Sequence, residues 1–165
     1  MNTITPYQIL NAIISFCFDE EKLQNIILRL KEHASENLLE DEETYLTAAL
    51  LISVIAVLEI VYKVFDDYRI SSIIADNLFT TIEKLYPSKY DLIFYNYLDY
   101  LNLSLNNNDK FVSFGKFFSN KIWINKDDNS LLVNQCIVEF TSLLIQLENF
   151  LNSVKENFII EQDDI

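Results

Sequence analysis

Apolar positions recur every three or four residues along most of the chain, the spacing that lines one face of a helix, and about six helices follow from it. Thr5-Pro6-Tyr7-Gln8 is a helix start: Thr5 can cap free amides, Pro6 suits the first turn and Gln8 completes a capping box. That helix carries Ile9, Leu10, Ile13, Ile14 and Cys17 on one side and ends near Phe18. Asp19-Glu20-Glu21 opens a second helix with negative charge at its positive end, and Leu23, Ile26, Ile27 and Leu30 form its apolar stripe toward Ser35. A third helix is expected at about 41–65. It is apolar nearly all round from Leu46 to Val57, the signature of a central helix enclosed by others. Asp66-Asp67 marks a break, Ser71 and Ser72 are candidate caps for a fourth helix through Ile74, Leu78, Ile82 and Leu85, and Pro87 stops it.

From Tyr90 to Leu105 two periods compete. Tyr90, Ile93, Phe94, Tyr97, Leu98, Leu101 and Leu105 keep helical spacing, which is the preferred reading. Residues 101–106 also alternate like a strand ahead of the turn sequence Asn106-Asn107-Asn108-Asp109, so a small hairpin near 100–115 is the alternative. Phe111 to Trp123 holds the single glycine, Gly115, and suits a short or broken helix, followed by a loop at 125–129. The strongest pattern is the last: Val133, Ile137, Phe140, Leu144, Leu147, Leu151, Val154 and Phe158 step by four and three, with Cys136, Leu143 and Phe150 beside them. A face that wide predicts a long C-terminal amphipathic helix, about 130–160, acting as the spine of a bundle rather than a two-stranded zipper. Residues 161–165 are expected to form a frayed acidic tail. Together these elements predict an all-α fold, a single-domain helical bundle over 1–165.

Charge changes the picture. Twenty-five Asp and Glu against 12 Lys and Arg give the 165 residues a net charge of −13. A body so acidic is repelled by phosphate, which argues against direct nucleic-acid binding and favours a basic protein partner. Acidity also keeps an apolar-rich domain soluble, which is the plainer explanation. One glycine excludes the glycine-rich loops that cradle phosphates. The charge is unevenly spread: Lys84 to Lys126 carries six Lys against three Asp, with half of the aromatic residues, of which Tyr95 and Tyr100 are candidates for exposure. The uncharged run Thr44–Leu58 is shorter than the roughly 20 residues of a membrane span, so no membrane partner is expected. No Lys or Arg precedes Lys22, so a signal peptide's charged start is missing, and a cytoplasmic setting with Cys17 and Cys136 as free buried thiols is expected.

Candidate chemistry is sparse. His33 is the single histidine, beside Glu32 and near Glu36, and no nucleophile or zinc spacing accompanies it. No enzyme, metal or cofactor is expected. The best positive feature is acidic: Glu36, Glu40, Asp41, Glu42 and Glu43 precede and open the central helix, and Asp66, Asp67, Asp127 and Asp128 stand at other element boundaries. If the fold gathers them, they form a negative face for Lys and Arg. The expectation is a non-enzymatic acidic binding protein that occludes a basic protein, in the manner of a bacterial immunity protein, an antitoxin-like inhibitor of a toxin, or a phage inhibitor of a nucleic-acid enzyme. The alternative is a structural or adaptor bundle that binds a partner helix or self-associates through its last helix, as monomer or homodimer.

Overall fold

Every residue of α3 (Glu42–Val64) from Thr47 to Leu58 is buried, and the other helices are arranged around it. The computed structural model describes residues 1–34, 42–123 and 130–161. In chain order these form β1 (Asn2–Ile4), α1 (Pro6–Cys17), α2 (Glu20–Glu32), α3, α4 (Tyr68–Leu85), α5 (Tyr90–Leu105), α6 (Lys110–Phe117) running into a π-helical turn (Phe118–Ile122), α7 (Ser130–Asn157) and β2 (Phe158–Ile160). The fold is an all-α bundle with a minimal two-stranded sheet.

Local chemistry explains most boundaries. The Thr5 hydroxyl accepts from the Gln8 amide, and the Gln8 side chain accepts from the Thr5 amide at 2.9 Å, so the capping box at α1 forms as the sequence implies. At α4 the cap is Asp67, four residues earlier than the expected serines. Its carboxylate accepts from the Arg69 amide, while Ser71 and Ser72 turn back onto main-chain carbonyls inside the helix. α5 continues to Leu105, and after a short turn Asp109 caps α6, so the hairpin near 100–115 does not form. Helical spacing wins there because it buries Ile93 and Tyr100 against the core.

Two expectations at the C-terminus are corrected. The last helix ends at Asn157 rather than near 160, and Phe158–Ile160 pair in parallel with Asn2–Ile4 in the register Asn2↔Phe158 to Ile4↔Ile160. Glu161 is not frayed: its amide donates to the Ile4 carbonyl at 2.9 Å, extending the ladder. Residues 162–165 lie outside the described ones.

α3 and α7 run parallel. Lys63 pairs with Glu148 at 2.7 Å and Lys155 donates to the Val64 carbonyl near their C-terminal ends, while the Tyr45 and Trp123 rings meet at the other end. The expected spine is buried from Val133 to Val154, with Ile137 partly exposed beside α6. There Gly115 lets α6 and α7 approach closely, since a Cβ at that position would stand 3.3 Å from Ile137 Cδ1. An aromatic stack, Phe114 on Phe140 with centroids 4.2 Å apart, fills the same seam. Tyr95 is exposed as expected, but Tyr100 is fully buried and its hydroxyl donates to Glu59 at 2.9 Å, which satisfies the charge that the central helix carries. Burial, then the Glu59 charge, holds the Tyr100 hydroxyl above its ordinary range. Both cysteines are buried and free, and burial pushes each thiol up to about 12. By length and composition α3 and α7 are each long and apolar enough to cross a membrane; the apolar window of α3 is 83% buried in the bundle, that of α7 44%.

Candidate functional site

The acids singled out by sequence divide between two ends of α3. Glu42 and Glu43 open the helix and Asp66 and Asp67 follow its last turn, about 33 Å away at 1.5 Å per residue. The two pairs therefore do not share a face. Glu42 is paired with Lys31 of α2, Glu43 with Lys89 just before α5, and Asp67 with Arg69, while Asp66 is exposed. Glu36, Glu40, Asp41, Asp127 and Asp128 lie outside the described residues.

At the Glu42 end the fold makes a cleft that the sequence alone does not reveal. Phe18 at the end of α1, Glu20, Leu23 and Gln24 from the start of α2, Leu46 from the second turn of α3, and Leu85 and Tyr86 from the end of α4 line a cleft of about 440 Å³. Three local causes place them. Phe18 caps α1 and is driven inward by its size, the stripe of α2 turns Leu23 to the same side, and α4 must end at Leu85 because Pro87 cannot continue it. Leu85 is left half exposed at the mouth.

The floor is apolar and the rim is acidic. Glu20 lines the cleft itself, Asp19 caps the helix just before it, and Glu42, paired with Lys31, stands one turn before Leu46. All three are exposed. Of the nearby cations, Lys31 is paired with Glu42, and Lys22, two residues after Glu20, has its ammonium 3.8 Å from the centroid of the Phe16 ring. Among the described residues Glu20 is therefore the one charged side chain lining an apolar opening, with Glu42 beside it. The Tyr86 hydroxyl registers this field: burial first, and the Glu20 charge second, raise it above the ordinary phenol range. Chemically, the arrangement suits an apolar side chain flanked by Lys or Arg.

Two smaller clefts are of a different kind. One, about 210 Å³, lies between the end of α1, α2 and α7 and contains Glu139, the one acid buried among the described residues. Arg29 grips it in bidentate fashion, at 2.5 and 2.9 Å, and Gln135 donates at 3.0 Å. The other, about 280 Å³, is lined by Glu43, Thr44, Thr47, Lys89 and Lys121, so its acid and a lysine are already partners. Exposed His33 ends α2 with Nδ1 2.9 Å from the Arg29 carbonyl oxygen. Among the described residues no three His, Cys, Asp or Glu side chains converge as a metal ion requires.

Sequence reasoning assigned Glu20 a dipole role only, and it missed Leu46, Leu85 and Tyr86 as a shared surface. The available signal was weak: Leu85 is apolar at a helix end beside Pro87. The chain was compared with protein-family models, curated proteins and solved structures, and none matches.

Proposed function

We propose that the protein is a non-enzymatic acidic binding protein that neutralises a basic protein partner by occlusion, in the manner of an immunity protein or an antitoxin-like inhibitor. The observation that carries the reading is the acid-rimmed apolar cleft of Phe18, Glu20, Leu23, Leu46, Leu85 and Tyr86. Its parts divide the work of binding. Carboxylates at the rim steer a cationic surface and fix its orientation, whereas the apolar floor takes an anchoring side chain and slows its departure. No turnover is involved; the partner's own working surface is covered. Of the acids expected from sequence, Glu42 and Glu43 belong to this end, while Asp66 and Asp67 stand about 33 Å from it, at 1.5 Å per residue along α3.

The test is affinity capture from the native host by wild-type protein and by a Glu20→Lys/Glu42→Lys/Leu85→Glu variant, each at low and at 0.5 M salt. A basic protein retained by the wild type at low salt, and lost by the variant, is the expected result. Retention of the same proteins by both would dismiss the cleft as the binding surface.

A further inference from the structure

The outward side of α7 is the opposite of the acidic cleft in its chemistry. Leu131, Val138 and Ile145 are 64%, 56% and 57% exposed and spaced seven residues apart. Seven residues are two turns within about 20°, so the three side chains form one line along the helix, each about 10.5 Å from the next. Asn134, Gln135, Thr141, Ser142 and Asn149 surround them, all uncharged, and Glu148, one turn past Ile145, is held by Lys63 at 2.7 Å. From Ser130 to Leu147 the helix carries one charge, Glu139, and that carboxylate is turned inward onto Arg29.

We propose that this face is where a second copy of the chain docks, antiparallel, about a two-fold axis through Val138. Two observations select a second copy over other occupants. Each copy carries −13, so copies repel wherever acids face each other, and this is a long face free of exposed carboxylates from Ser130 to Leu147. The stripe is also self-complementary. Leu131 and Ile145 stand seven residues on either side of Val138, so antiparallel pairing sets Val138 on Val138 and each Leu131 on the other copy's Ile145. Three branched aliphatic side chains amount to roughly a few hundred Å² of apolar surface per copy, about half or less of the ~800 Å² per partner in a standard interface. The dimer is accordingly weak and reversible.

The decisive experiment introduces a cysteine at the axis. Both native thiols are buried, so background cross-linking is low. Val138→Cys, oxidised at 50 μM, should give a disulfide-linked dimer at least tenfold faster than Tyr95→Cys, a control at an exposed site on α5. In parallel, sedimentation velocity from 5 to 300 μM should show the wild type passing from monomer to dimer and Val138→Glu remaining a monomer with an unchanged melting temperature. Equal cross-linking rates in the two cysteine variants, or a wild type that stays monomeric to 300 μM, would overturn the proposal. So would a monomeric wild type that floats with phosphatidylcholine vesicles while Val138→Glu does not, since the face would then belong to a bilayer.

Discussion

The first turn of α3 and the outer side of α7 are both surface, yet they solve the problem of exposed apolar area in opposite ways. Around Leu46 and Leu85 the apolar floor is bordered by Glu20 and Glu42. Around Val138 the neighbours are Asn134, Thr141 and Ser142, and the one acid within reach, Glu139, is withdrawn and tied to Arg29. A charged rim chooses a partner of opposite sign; a neutral rim tolerates a partner of the same net charge. Salt therefore separates the two: screening weakens attraction at the cleft and relieves repulsion between two copies meeting across α7. Rising ionic strength should lower affinity for a basic protein and raise dimer affinity. Equal signs for both would erase the distinction.

The largest single effect on stability is expected where charge is buried to keep α7 neutral outside. Arg29→Met leaves Glu139, whose side chain is 7% exposed, without its guanidinium, and should cost about 3 kcal/mol in urea unfolding. Arg29→Met/Glu139→Leu should recover most of that loss, because an apolar pair of similar size needs no compensation. A double variant as unstable as the single would mean that the pair does more than balance charge.

Alkaline pH gives the next effect. The Cys17 and Cys136 thiols lie at about 12 in the folded chain against an ordinary value of 9.0, and burial also raises Tyr97 and Tyr100. A folded value above the unfolded one means that stability is complete below pH 9 and is lost as pH rises toward 12. The urea midpoint should hold between pH 7 and 8.5 and fall steadily from pH 9.5 to 11. A flat midpoint across that range would show the thiols and phenols to be solvated. Consistently, both thiols should resist Ellman's reagent at pH 8 until denaturant is added.

The smallest effects belong to the ion pairs at the start of α3. Glu42→Ala and Glu43→Ala remove exposed carboxylates and should each cost less than about 1 kcal/mol, Glu43 the more, because its partner Lys89 is 14% exposed against 23% for Lys31. Their value, if the cleft binds a basic protein, is in association rate. A large stability loss from either would move these acids from recognition to architecture.

How much of this was written in the chain depends on how local the cause is. The capping box of Thr5 and Gln8, the stop at Pro87 and the all-round apolarity of α3 act within a few residues, and each appears in the structure where the sequence implies it. Asp67 and Ser71 were competing caps for one helix end; the carboxylate nearest the break won because Ser71 can satisfy itself on a carbonyl behind it. Tyr100 was misjudged because nothing nearby in sequence announces Glu59, forty-one residues away, as its partner. The pairing of Asn2–Ile4 with Phe158–Ile160 joins the two ends of the described chain, beyond any turn signal. The cleft is hidden for the same reason: Phe18, Leu46 and Leu85 are each ordinary stripe residues until three helices meet. Glu139 left a trace, an acid three residues after Cys136 and four before Leu143 on the flank of the apolar seam.

The association rate of the protein with its captured basic partner, followed by stopped flow from 20 to 500 mM salt, tests the acidic cleft most directly. Wild type should associate fast at low salt and slow steeply as salt rises, while Glu20→Gln/Glu42→Gln starts slower and has a shallower slope. A rate that ignores salt and is the same in both proteins would contradict the account.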